Sequence, residues 1–498
     1  MHPTPIVRLA LALIIAVAAL PAQNDFRDVM SRIHEFTLSN GWRFIVVERH
    51  QAPVAAFYTL ADVGSAQEVK GITGLAHMFE HMAFKGTQKI GTKNYVQEKE
   101  ALERVDRAFL AVQAEKQKIN GGDPKRIESL EKEFKSAEAA AGDFVVANEF
   151  GQAIEQHGGR GLNASTSYDK TDYFYSLPSN SAELWFYLES ERFLNPVFRE
   201  FYKEAAVVRE ERRMRTESSP QGRLIEEFAA AAYKAHPYGE PVVGHMSDLE
   251  AFTRADAQAF FDKYYGPGNL ISVVVGDVDA ARIKALAEKY MSRIPARPVP
   301  PPLRTVEPPQ TVERRLILRA QAQRVAYMGY HKPSMHDPDF AVYEALSSIL
   351  SDGRSSRLHQ NLVQKSKVAV AAAGFTGFPG NKYPGLFLFG AIPSPGKTNE
   401  DVEKAMLEEI KKLKETLVTA DELEGVKNRA RAGLISLLAS NTSMARELAE
   451  WKALTGDYKN LFLFLDKLNA VSPEDIQRIA KATFQDSGRT VAYLEPVQ

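Results

Sequence analysis

The sequence predicts two related α+β domains in one chain, and three observations predict them. Residues 295–310, PARPVPPPLRTVEPPQ, carry proline at a density that neither a helix nor an internal strand tolerates, so an extended tether divides the chain there. The parts on either side end alike. DAQAFFDKYYGPGNLISVVVGD from Asp256 and DIQRIAKATFQDSGRTVAYLEP from Asp475 each read as a helix, a Gly-containing turn and a β-branched strand. They also begin alike, with an apolar strand ahead of a long helix. In the first part the strand is PVAAFYTL from Pro53; in the second it is RVAYMGY from Arg324, with a helix from about Asp339 to Leu350. Paired order of this kind points to a duplicated unit.

At the N-terminus, Arg8 precedes an apolar run from Leu9 to Leu20, followed by Pro21-Ala22-Gln23. The run is short for a membrane span, which needs ~20 apolar residues. Residues 1–22 read as a cleaved secretory signal, with a retained anchor as the alternative. No later stretch is apolar and long enough to span a bilayer, so the expectation is an exported, soluble protein, periplasmic if the source is Gram-negative. The expected domains are 24–294 and 311–498, joined by the linker 295–310. Within the first, residues about 96–148 are rich in Glu, Lys, Ala and Gln, with Leu102, Val105, Phe109, Leu110 and Val112 at helical spacing. Asn120-Gly121-Gly122-Asp123-Pro124 breaks the pattern, and Pro124 is placed to open a second helix. The segment reads as an inserted, solvated helical hairpin; a lid or a partner-docking arm is the functional alternative.

Charge excludes some partners. The 62 basic and 63 acidic residues leave a formal net charge of -1, which suggests neither nucleic acid nor an anionic membrane as partner. The absence of cysteine excludes disulfides, thiolate metal sites, a cysteine nucleophile and a lipoprotein anchor. Any metal has to be held by His, Asp and Glu.

The strongest chemical signal is His77-Met78-Phe79-Glu80-His81, within GLAHMFEHMAF. On a helix, residues i and i+4 share a face, ~5–6 Å apart at Cβ. Two imidazoles so placed can bind one tetrahedral zinc with Zn–N bonds of ~2.0–2.1 Å. Glu80 projects toward the same pocket without being forced to ligate, and its carboxylate can take a proton from water at the metal. The flanking Leu75, Met78, Phe79 and Met82 bury this helix, and buried histidines need partners. A third ligand is required for a catalytic site. Residues 199–215, REFYKEAAVVREERRMR, offer Glu204 and Glu211 on one helix face, with Glu210 ~100° away. The competing reading of that segment is a charged, solvated helix laced with Arg–Glu pairs.

These residues resemble those of the inverzincin metallopeptidases of the pitrilysin and insulin-degrading-enzyme type. The chain is most similar to the shorter members, the mitochondrial processing peptidases and their bacterial relatives. The resemblance runs through GLAHMFEHMAFKGT, GLNASTSYDKTDYFYSLP from Gly161, the acidic helix, HPYGEPVVG from His236, YYGPGNLISVVVGD from Tyr264 and DGRSSRLHQNL from Asp352. It implies that His77 and His81 are zinc ligands and that Glu80 is the general base. It implies Glu211 as third ligand and Glu204 as its supporting carboxylate, with Glu210 as the fallback if the register slips by one. Asn163, Ala164, Ser165 and Thr166 resemble the family's edge strand, which pairs with the backbone of an extended peptide.

The expected fold is therefore α+β, each domain an antiparallel sheet with helices on one face, with the hairpin inserted in the first. Two departures stand out. The stretch between the two metal-bearing helices is longer than usual, which the hairpin explains. The family's Arg and Tyr, which bind substrate and polarise the scissile carbonyl, lie near each other on a late helix; the matching region here, NTSMARELAEW from Asn441, has no Tyr, and Tyr458 follows in another context. The expectation is a zinc endopeptidase for short or unfolded peptides that borrows its Arg/Tyr pair from a related subunit, a homodimer being the alternative. The rival readings are a non-catalytic peptide-binding or assembly subunit and a metal-storage or metal-sensing protein. His236 and Tyr238 read as structural, His157 as a helix-end residue, and Arg354 and Arg357 as helix-start packing.

Overall fold

The computed structural model describes residues 23–497, so the expected signal at 1–22 lies outside the described residues. The first half builds a six-stranded sheet from β1 (Ile33–Thr37), β2 (Arg43–Glu48), β3 (Val54–Ala61), β4 (Arg160–Thr166), β5 (Thr171–Pro178) and β6 (Leu270–Gly276), in the order β1-β2-β6-β3-β5-β4. The second builds a five-stranded sheet from β7 (Arg314–Ala320), β8 (Val325–Lys332), β9 (Ala369–Phe378), β10 (Gly385–Pro393) and β11 (Arg489–Pro496), in the order β7-β11-β8-β10-β9. Residues 295–311, between the two, form neither helix nor strand.

The duplication is visible strand by strand. Removing β1 leaves β2-β6-β3-β5-β4, the same order as β7-β11-β8-β10-β9. The matching extends to direction: β2 runs parallel to β6 and β7 parallel to β11, while the other pairs are antiparallel. The sheets are thus mixed rather than wholly antiparallel. In each half the last strand returns after a long helical crossover and slots between two earlier strands, β6 between β2 and β3 and β11 between β7 and β8, and such a return is what a parallel pair requires. β6, LISVVVG, is buried along its whole length, as a β-branched central strand covered on both faces should be.

Helices cover both faces of each sheet, and this differs from the single covered face expected. Strand side chains alternate between faces. On β3, Phe57 joins a core with Trp42, Phe44, Phe79 and Trp185, all from the first half. Tyr58 and Leu60 point the other way, where Leu434, Leu438, Met444 and Leu448 from the second half cover them. The second sheet is completed in return by helix Pro220–Ala232 of the first half. Its Leu224 and Phe228 fill the space against Val325, Leu386, Leu388 and Leu494. Each such side chain is worth about 1.5–3 kcal/mol when fully buried, so neither sheet is complete without the other half. Polar contacts fix the relative placement. Asp169 accepts from the Tyr238 hydroxyl at 2.6 Å and from the backbone N–H of Asn381 and Lys382 at 3.0 and 3.1 Å.

The inserted hairpin is present as helices Tyr95–Lys116 and Pro124–Gly142. Asn94 caps the first and Asp123 the second, with Pro124 at the first helical position. One buried side chain ties the hairpin to the site described below. The Arg199 guanidinium donates to both Glu98 carboxylate oxygens at 2.7 and 3.1 Å, and to the carbonyls of Lys85, Thr87 and Ile90 at 2.7, 2.7 and 3.1 Å. Both side chains are essentially inaccessible to solvent. Removing one partner of such a pair strands the other charge in the interior. Arg199→Leu is expected to destabilise the protein by about 3–5 kcal/mol. Arg199→Leu with Glu98→Leu should cost less than the sum of the single changes, because no charge is left behind. Urea denaturation of the three variants checks both.

Candidate metal centre

The helix Leu75–Met82 carries both histidines. It starts sharply because Gly74 adopts φ 92, and a Cβ there would stand 2.7 Å from the Val243 carbonyl oxygen and 2.8 Å from Leu249. Its first amides are capped from outside the helix. The Glu68 carboxylate accepts from Gly74 N at 2.7 Å and Ala76 N at 2.6 Å. Burial pushes Glu68 up to about 8, against the pull of these two backbone bonds. Leu75, Ala76, Met78, Phe79 and Met82 are buried in the first core, which sets the rotation of the helix and aims His77 and His81 at the acidic helix, Phe201–Arg212.

That helix presents Glu204 and Glu211 one above the other. His77 Nε2 lies 3.6 Å from Glu211 Oε1, and His81 Nε2 lies 3.2 Å from Glu211 Oε2. One donor atom from each of the three residues falls within 4.8 Å of the others. Around a tetrahedral ion with bonds of ~2.0–2.1 Å, ligand atoms stand ~3.3 Å apart, so the spacing fits a shared metal. The chemistry fits as well. His77 is 5% exposed and its Nε2 lies 3.6 Å from Glu211 Oε1, too far for a hydrogen bond, so a cation between the two would supply the partner that this buried ring nitrogen needs. Burial lowers His77 to about 4, against the pull of Glu211, which keeps the ring neutral and its lone pair free.

The groups around the three donors divide the work. Glu204 Oε2 lies 3.6 Å from His81 Nδ1, and Glu204 Oε1 accepts from Lys85 Nζ at 2.5 Å. Burial pushes Glu204 up, but His81 and Lys85 outweigh it and hold the carboxylate below its ordinary range. The same contact raises His81, in the direction opposite to His77. Glu80 Oε2 stands 4.0 Å from His77 Nε2, beside the donors rather than among them. Burial raises the Glu80 carboxyl, while a hydrogen bond from Thr166 opposes the shift. Glu210 is exposed, pairs with Arg213 and faces away, so the register does not slip to it.

β4 is the free edge of the first sheet and runs beside the histidine helix. Its four residues split by face. Ala164 is buried in the core shared with that helix, and Thr166 lies 3.5 Å from the Ala76 carbonyl. Asn163 bonds back to Ala164 N at 2.9 Å, and Ser165 donates to Asp172 at 2.8 Å on the opposite face. Sequence reasoning missed Glu68 and the contact of Thr166 with Glu80. The first had a local trace, a lone acid between strand and helix; the second needed the strand register. Arg446 packs over Phe174 at 5.5 Å, and Tyr458 is buried in the core between the halves, so neither is presented to the metal donors. His236 and Tyr238 are buried and structural, His157 ends helix Glu149–Gln156, and Arg357 forms a double hydrogen bond with Glu422.

Two family models match the chain. The one described as insulinase (peptidase family M16) covers residues 43–113 and 145–245, and the one described as peptidase M16 inactive domain covers 251–430. The chain is 28% identical over 496 residues to the zinc protease PqqE of Helicobacter pylori, covering 97% of each. It is 22% identical over 460 residues to the Bacillus subtilis protein named uncharacterized zinc protease YmxG, covering 91% of this chain and 96% of that one. The crystal structure of a protease from Helicobacter pylori superposes with a TM-score of 0.78 at 27% identity, covering 93% of this chain and 99% of that chain.

The cap on the histidine helix gives a direct test of positioning. Glu68→Ala leaves two buried N–H groups without an acceptor, at about 1–3 kcal/mol each. It should lower both the unfolding free energy and the affinity for a divalent metal, although Glu68 touches no metal donor. Glu68→Gln keeps an acceptor and should fall between. Metal competition against a chromogenic chelator, run beside urea denaturation, separates the effects; a folded Glu68→Ala protein with unchanged metal affinity would remove the positioning role.

Proposed function

The chain belongs to peptidase family M16, the insulinase family, and from that premise we propose that it hydrolyses peptide bonds in short or unfolded peptides with a zinc ion held by His77, His81 and Glu211. The observation that carries this reading is the meeting of those three donors within 4.8 Å of one another, with Glu80 beside them. Relatives over nearly the whole chain are named zinc proteases, which supports zinc as the ion. Zinc, when bound, supplies Lewis acidity toward a carbonyl oxygen and makes water acidic near neutral pH.

The protein's residues do the rest. Glu80 accepts a proton from the attacking water and delivers it to the leaving amine nitrogen. A carboxyl raised by burial is suited to hold the proton between those two steps. Thr166 steadies the Glu80 carboxylate, and Glu204 orients His81. The open backbone edge of β4, at Asn163, Ala164, Ser165 and Thr166, accepts an extended peptide as an added strand. Such pairing reads backbone, which favours peptides over folded proteins. The reading includes cleavage within the chain rather than only at its ends. It also includes a related subunit that supplies an Arg/Tyr pair, since Arg446 and Tyr458 are otherwise engaged. Export is part of the proposal through Arg8 and the apolar run Leu9–Leu20.

The test is turnover of a mixed peptide library by the protein lacking residues 1–22, with one equivalent of zinc. Glu80→Gln should lower turnover by about 10²–10⁴-fold and still bind one zinc. His77→Ala, His81→Ala and Glu211→Ala should each lose the zinc. Ligation requires neutral imidazoles, so zinc affinity should fall as pH drops, with release of the metal on acidification. Cleavage by the wild type alone would dismiss the need for a partner. Zinc binding without cleavage, alone and with a related subunit added, would favour the assembly-subunit reading.

A further inference from the structure

The hairpin meets the acidic helix chiefly at Tyr202, whose hydroxyl donates to Asp106 at 3.0 Å. Phe109 stacks on Tyr202 at 4.1 Å between ring centroids, and Phe134 meets the same ring edge-on at 5.6 Å. These rings bridge a gap that contains two neighbouring cavities, of about 540 and 640 Å³. Leu102, Val105, Phe134, Ala141, Phe198 and Phe201 give the first cavity an apolar wall. Tyr202, Ala206, Lys135 and Arg209 border both.

The charged side chains around this space are unequally partnered. Asp106 is held by Arg254, Glu98 by Arg199, and Glu200 by Lys85 and Lys203. Neither Lys135 nor Arg209 has a hydrogen bond or ion pair through its head group among the described residues. Glu138 lies among Lys135, Arg209 and Lys203, and it balances one of the two free cations. Among the described residues, Lys135 and Arg209 are the only charged ones that border both cavities, with Glu138 lining the first and Glu250 the second.

We infer that the space beneath the hairpin binds an amphipathic carboxylate, its apolar chain in the cavity and its head group between Lys135 and Arg209. The volume falls in the ~300–1,000 Å³ range of small-molecule sites. The first family model stops at residue 113 and resumes at 145. Helix Pro124–Gly142, which contributes Phe134, Lys135 and Glu138, therefore lies outside the matched part, and the site belongs to this chain's insertion. Tyr202, Ala206 and Arg209 lie on the side of the acidic helix opposite Glu204 and Glu211, at ~100° per residue. An occupant thus presses on the helix that carries Glu211. The inference does not depend on the zinc reading.

Dodecanoate below its micellar concentration, titrated calorimetrically into the protein lacking residues 1–22, provides the test, with dodecanol as the uncharged twin. One equivalent of dodecanoate should bind, and dodecanol at least about tenfold more weakly. Lys135→Gln with Arg209→Gln should weaken dodecanoate by at least about tenfold and leave dodecanol unchanged. Ala206→Trp, which fills the shared wall, should abolish binding of both; if it fails to fold, the charge variant decides alone. No binding by the wild type, equal binding of acid and alcohol, or an unaffected charge variant would each overturn the assignment.

Discussion

Arg199 is the fixed point around which the candidate centre is assembled. Its five hydrogen bonds gather the first hairpin helix, the loop after the histidine helix and the start of the acidic helix. A guanidinium taken out of water must fill its donors, and the geometry of a planar fork leaves little freedom in doing so. The acidic helix begins two residues later. Glu211 can therefore meet His77 and His81 only in the arrangement that also satisfies Arg199. The hairpin, which at sequence level looks like a decoration, supplies Glu98 and so belongs to the frame of the site.

Much of this could be read in the residues. The five-residue histidine motif, the seven-residue spacing of Glu204 and Glu211, the break at Asn120–Pro124 and the repeated helix–turn–strand endings are local patterns, and local patterns survive into the structure. Glu210 shows where spacing alone ran out. It is one residue from the ligand candidate, and only the placement of the helix against His81 and Arg213 separates the two. The second covered face of each sheet was illegible for another reason. Alternation says that a strand has two faces, but it does not say which distant helix will cover the second.

The duplicated edges have been treated differently. β4 and β9 occupy the same end of their sheets. At β9 the Ser351 hydroxyl engages the outward backbone of Gly374, donating to its carbonyl at 2.7 Å and accepting from its N–H at 2.5 Å, and Ser347 donates to the same carbonyl at 3.3 Å. Side chains of helix Phe340–Ser351 thus occupy hydrogen-bonding groups that a further strand would use, a recognised way to blunt an exposed edge. On β4, beside His77, Glu80 and His81, the side-chain bond to the backbone comes from within the strand, at Asn163 and Ala164, whereas on β9 it comes from a neighbouring helix.

The reciprocal covering of the two sheets bears on how the chain is made. An N-terminal half leaving the ribosome arrives with Ile45, Tyr58, Leu60 and Ile271 without this cover, because it lies more than 150 residues downstream at Leu434 to Leu448. Its own helix Pro220–Ala232 waits in the same way for β8, β10 and β11. The two halves are therefore one folding unit despite their repeated architecture. Cutting at the proline tether would yield two sticky fragments, and recombination would succeed only with both fragments present together.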